Sequence, residues 1–60
     1  MEDNIIYEFT WQELSTMSPI ERSVTVVGTE ERYDQIAYLN EMQKNGSIQN
    51  VRQIYRGQDT

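Results

Sequence analysis

Ile5, Tyr7, Phe9 and Trp11 alternate with Asn4, Glu8 and Thr10, and within that stretch Ile6 breaks the polar face. Period two with β-branched and aromatic side chains predicts a half-buried strand over about 4–11. A second strand is predicted over about 22–28, with Val24 and Val26 on one face and Ser23, Thr25 and Val27 on the other. The period then changes. Tyr33, Ile36, Ala37, Leu39 and Met42 recur at steps of mostly three and four, which predicts one apolar face of a helix over about 30–45. Thr29 offers an N-cap, Glu30 and Glu31 suit the positive end of the helix dipole, and Lys44 and Gly46 suit its end.

Two stretches fit less simply. A third strand over about 50–56 places Val51, Gln53 and Tyr55 on one face and Asn50, Arg52, Ile54 and Arg56 on the other. Neither face is cleanly apolar, so the pattern calls for a re-phasing bulge or for partial cover on both sides. Residues 12–20 are too long for a tight hairpin. Thr10 to Glu13 and Ser18 to Glu21 both read as capping boxes, the second with Pro19 at the favoured first position. One helical turn or an ordered loop is expected there, with Leu14, Met17 or Ile20 tucked under the sheet.

These elements define one small α+β domain over 1–60, a three-stranded, mainly antiparallel sheet with one helix packed on one face (ββαβ). The strand order 2-1-3 is expected, with a right-handed parallel crossover beside the second strand as the alternative. The ends, 1–3 and 57–60, are expected to fray. Sixty residues allow one domain, and a chain of this size buries only roughly 60% of its unfolded surface. With 37% hydrophobic residues and no disulfide, stability is expected to be marginal or to draw on self-association.

Composition narrows the chemistry. Cysteine and histidine are absent, which removes thiol and imidazole catalysis and the usual zinc sites. The serines have no histidine to activate them, and Lys44 sits where a helix-ending lysine belongs. Glu30, Glu31 and Asp34 lie close together, but no Asp/Asn-Gly loop converges on them as a calcium or magnesium site requires. The single glycine between Thr25 and Glu30 falls short of a phosphate cradle. No catalytic residue, cofactor or metal is expected, and the chain reads as non-enzymatic. No long apolar run or basic leader is present, so a cytoplasmic protein without membrane contact is expected.

Charge is uneven. The formal net charge is −5, and residues 1–34 hold eight acids against Arg22 and Arg32. A negative patch can be steered to a basic groove on another protein, although it also serves solubility. Arg52, Tyr55 and Arg56 could combine stacking with phosphate contact, but the overall charge disfavours direct nucleic-acid binding. Tyrosine and arginine suit a protein contact better. Tyr38 lies on the helix flank, off the apolar stripe.

The segment Val24-Thr25-Val26-Val27-Gly28-Thr29-Glu30-Glu31, the helix ending Lys44-Asn45-Gly46, and Asn50-Val51 with Ile54-Tyr55-Arg56-Gly57 resemble short phage and prophage proteins. The resemblance covers about residues 22–57 and is one of layout. The architecture also looks like that of small acidic phage proteins that inhibit host RNA polymerase, and of some anti-CRISPR proteins. What it implies is a host-takeover inhibitor acting in the host cytoplasm on a protein that binds nucleic acid. The partner-binding residues expected from the chain itself are Glu30, Glu31, Asp34, Tyr38, Arg52, Tyr55 and Arg56. The alternative expectation is a self-associating accessory subunit, a homodimer in its simplest form.

Overall fold

A computed structural model describes residues 4–58, with β1 (Ile5–Glu13), β2 (Ile20–Val27), α1 (Thr29–Lys44) and β3 (Ile48–Gln58) in chain order. The three strands form one open antiparallel sheet in the order β2-β1-β3. The α+β reading holds, and the parallel crossover does not occur. The chain returns from α1 to the free edge of β1, where β3 pairs antiparallel along its length.

β1 is the central strand, and its alternation decides the two faces of the sheet. Tyr7, Phe9 and Trp11 point to the helix side, with Val24 opposite Phe9 and Val26 opposite Tyr7 on β2. Phe9 and Leu39 are 1% exposed and Ile48 is 3% exposed, and these three form the buried centre. Ile36, Met42 and Val51 close around it.

β3 resolves its phase conflict with two extra residues. Thr10 to Gln12 of β1 is matched by Arg52 to Gln49, and Ile6 to Tyr7 is matched by Gly57 to Tyr55. Each match carries one residue more on β3, which is a bulge. The first lets Ile48 and Val51 both reach the core although they are three apart. Asn50 takes φ 56° there, a left-handed conformation that asparagine tolerates better than most residues. Gly57, at φ 116°, accommodates the second.

The β1–β2 connection is the ordered loop of the two expected forms, over fewer residues than 12–20. The strands extend to Glu13 and from Ile20, leaving a loop of six residues, 14–19, with no helical turn. Both capping boxes are overridden by pairing. Thr10 lies opposite Ser23 and Arg52, and Glu13 lies opposite Ile20, so the sheet already uses the backbone groups that a helix start would engage. Ser15 organises the loop instead. Its Oγ donates to the Ser18 carbonyl (2.6 Å) and accepts from the backbone N–H groups of Met17 (3.3 Å) and Ser18 (3.2 Å). Leu14, Met17 and Ile20 are all exposed rather than tucked under the sheet, Met17 at 93%. The chain leaving α1 is already back at the sheet at Ser47, whose carbonyl accepts from the Leu14 N–H (3.1 Å). The hairpin tip therefore runs on past the helical layer.

The helix also starts differently. Thr29 is its first residue, and Gly28 occupies the cap position with φ 96° and ψ 154°. With no loop between β2 and α1, the chain must turn at one residue, in a region essentially restricted to glycine. Gly28 is buried; its N–H donates to the Ile5 carbonyl (2.8 Å), and its carbonyl accepts from the Arg32 N–H (3.0 Å). The far end is a Schellman turn. Gly46, at φ 85°, donates to the Gln43 carbonyl, and Ser47 donates to that of Met42.

The face that α1 turns to the sheet begins with a cation. Arg32, half-buried, precedes Leu39 by two turns, whereas Tyr33 and Ala37, expected on the apolar face, are exposed. The Arg32 guanidinium lies 4.7 Å from the Tyr7 ring centroid and 5.4 Å from that of Tyr33. Its Nε donates to Gln53 Oε1 at 2.9 Å. This contact ties the first helical turns to β1 and β3.

Two predictions follow from this packing. Leu39→Ala leaves a cavity costing about 2–5 kcal/mol, against a total of about 3–9 kcal/mol for a domain of this size. Urea denaturation is expected to show a largely unfolded variant, while Met17→Ala leaves the midpoint unchanged. Arg32→Ala is expected to lower stability by about 1–2 kcal/mol through loss of the ring contacts and one hydrogen bond. Arg32→Lys, which keeps the charge but loses the planar stack and the fork, should fall between wild type and Arg32→Ala in the same titration.

Candidate functional site

The two layers present different chemistry to their surroundings. Among the described residues, the sheet is electrically balanced, with Glu8, Glu13 and Glu21 against Arg22, Arg52 and Arg56. The helix carries Glu30, Glu31, Asp34 and Glu41 against Arg32 and Lys44. Of these bases, Arg32 is turned to the sheet. The acidic excess of the described chain therefore resides wholly on α1.

Those acids are in phase. At 3.6 residues per turn, Glu30, Glu31, Asp34 and Glu41 fall within an arc of about 100° on one flank of the helix. Tyr38 lies inside the same arc and is 56% exposed. All four carboxylates are exposed, and none joins an ion pair among the described residues. The structure thus brings Glu30, Glu31, Asp34 and Tyr38 onto one surface. Glu41 completes it, and its i+3 step from Tyr38 is readable in the sequence once the helix phase is fixed.

Tyr55, Arg52 and Arg56 go elsewhere. Tyr55 stays on the helix side of the sheet, opposite Tyr7, with ring centroids 5.9 Å apart and planes at 69°. It is exposed, at the edge of the Arg32 contact. Arg52 and Arg56 belong to the opposite, uncovered face. Arg56 is the extra residue of the second bulge, which turns its side chain onto Glu8. Its Nε donates to Glu8 Oε1 at 2.8 Å, and its Nη2 bonds to the same oxygen. Bulge and ion pair explain why a side chain one residue from Tyr55 and one from Gly57 is committed to the sheet itself.

Arg52 borders an open hollow of about 240 Å³ on the uncovered face, lined also by Thr10, Trp11, Gln12, Glu21 and Asn50. Gln12 is its hub. Its Oε1 accepts from Gln49 Nε2 (2.9 Å) and Asn50 Nδ2 (2.8 Å), and its Nε2 donates to Glu21 Oε1 (2.8 Å). One amide on the central strand thus joins all three strands. Sequence reading missed it because a lone glutamine carries no motif; only the register places Glu21 and Gln49 beside it. The Arg52 side chain forms no hydrogen bond or ion pair among the described residues.

Among the described residues, no group of three or more acids gathers closely enough to hold a metal ion, and no helix is long and apolar enough to cross a membrane. The arrangement offers two opposed surfaces for contact, an acidic helical flank and a charge-balanced sheet face. Comparison with protein-family models, curated proteins and solved structures finds no match to this chain.

Proposed function

We propose that this chain is a small non-enzymatic protein-binding module that docks its acidic helix flank on a basic surface of a partner. A groove that binds nucleic acid is the partner surface of matching chemistry, and occupying it would block the nucleic acid. Host RNA polymerase and defence nucleases of the CRISPR type, the targets of the phage proteins this layout resembles, are the candidate partners. The observation that carries the reading is segregation of charge. The described acidic excess sits on one helix, in phase, with an exposed tyrosine among the carboxylates and no base paired to them. A single-sign surface steers association and repels nucleic acid itself.

The test is affinity capture from bacterial lysate at low and at high salt, followed by kinetics on the captured protein. A polymerase, nuclease or other nucleic-acid-binding protein is expected at low salt, with release as salt rises. Replacing Glu30 and Glu31 by glutamine and Asp34 by asparagine removes charge without adding repulsion. The cost in helix-dipole energy is about 0.3–1 kcal/mol per site, so the variant is expected to keep its circular dichroism spectrum. Its association rate should fall at least about tenfold at low salt. Wild-type association by that folded variant would refute the electrostatic mechanism.

A further inference from the structure

We propose that the uncovered face of the sheet is the contact surface for a second copy of this chain, packed face to face about a two-fold axis running along the strands. Antiparallel sheets commonly leave one face to solvent; what sets this one apart is how its side chains are distributed.

The centre of the face, along β1, is Ile6, Glu8, Thr10 and Gln12, with Glu8 already neutralised by Arg56. Among the described residues of this face, the side-chain charges outside an ion pair lie on the two edge strands: Glu21 on β2, sharing one hydrogen bond with Gln12, and Arg52 on β3, whose guanidinium has no partner there. Glu21 is level with Gln12 and Arg52 with Thr10, two residues apart along the strand direction. A two-fold axis along β1 lays β2 of one copy over β3 of the other. It brings each Glu21 within side-chain reach of the partner's Arg52, twice, as an isologous contact requires. The same operation lays Ile6 over Ile6 of the partner, and it sets Val27 of β2, which is exposed, over Gly57 of β3, two residues along the strand direction from Ile54. Apolar meets apolar, and acid meets base at the rim, where protein interfaces keep their charges. An axis across the strands would instead lay each edge strand over its own copy, β2 on β2 and β3 on β3, and take Glu21 away from Arg52.

Size points the same way. The Cα radius of gyration is 12.8 Å with extents of 44 × 17 × 10 Å, whereas a compact chain of this length has a radius of about 10 Å. The molecule is one thin plank, and stacking two sheets about 10 Å apart gives the open face of its sheet a second sheet to pack on. Three strands about 4.8 Å apart and eight paired residues at about 3.4 Å give a footprint of about 400 Å² per copy. That is small beside the roughly 800 Å² per partner of a standard interface, so the dimer belongs to the weak, concentration-dependent class.

Sedimentation equilibrium tests this on the whole chain. The average mass is expected to rise from 7.1 kDa toward twice that value as concentration climbs from about 10 µM to about 1 mM. Arg52→Glu and Glu21→Arg each place like charges opposite one another and should each weaken self-association at least about tenfold. An equimolar mixture of the two variants restores opposite charges at both sites and should dimerise again. Neutralising Glu30, Glu31 and Asp34 should leave the dimer intact, so this result and that for the helix flank are independent. Four results would overturn the proposal. They are a wild-type monomer at about 1 mM, single variants that dimerise like wild type, folded variants that stay monomeric when mixed, and a dimer lost with the helix acids.

Discussion

Phe9 packed against Leu39 and Ile48 is the contact on which the rest of the molecule depends. It joins the middle of the central strand to the helix and to the start of β3, residues thirty and thirty-nine positions further along the chain. A single helix of 16 residues can cover only one side of the sheet, and the side is chosen by where Phe9 points. Because side chains alternate along β1, that choice sends Ile6, Glu8, Thr10 and Gln12 to the other side. Each later feature answers to it. β3 spends two bulges to keep Ile48 and Val51 on the covered side while Arg52 and Arg56 reach the open one. Gly28 makes a one-residue turn so that α1 starts directly over the strand it leaves.

The elements that were legible in the sequence are those whose local pattern and tertiary role agree. The alternation from Ile5 to Trp11 marks a half-buried strand, and the strand is half-buried. The step from Ile36 through Leu39 to Met42 marks a helix face, and that face packs on the sheet. Legibility failed where two local codes competed. Thr10 and Glu13 form a good helix start as well as strand residues, and only pairing on both edges of β1 decides between them. Hydrophobicity misled at Tyr33 and Arg32. The tyrosine belongs to the apolar class but is exposed, while the arginine takes the inward position by stacking on Tyr7 and Tyr33. A guanidinium with a long apolar stem can occupy a core edge that a hydropathy pattern assigns to its neighbour.

The candidate surface was legible in the same partial way. Glu30, Glu31, Asp34 and Tyr38 share one helix, so the helical period alone puts them on one flank. Arg52, Tyr55 and Arg56 are neighbours in sequence, but alternation separates Tyr55 from the two arginines, and a bulge then steers Arg56 to Glu8. No spacing rule contains the bulge, because it is fixed by the register against β1. The result is a cleaner division than composition suggested. Among the described residues, sheet charges balance within the sheet, and the helix acids join no ion pair.

That division gives the two faces different physical uses. A surface of one sign cannot pack on a copy of itself, since like charges would meet at every position. It can attract only something of opposite sign, and it does so over a Debye length of about 8 Å at physiological salt. A balanced face with Glu21 on one edge and Arg52 on the other has no long-range preference, but it matches its own copy at close range. Stacking two sheets would leave both helices outward, on opposite sides of the particle, each with its carboxylates and Tyr38 exposed. Such a dimer carries two identical acidic flanks separated by two sheet layers. Two basic sites within that span could then be occupied together, with avidity added without any new contact. The geometry that makes the isolated chain thin is the same geometry that would keep its two flanks apart and equally accessible.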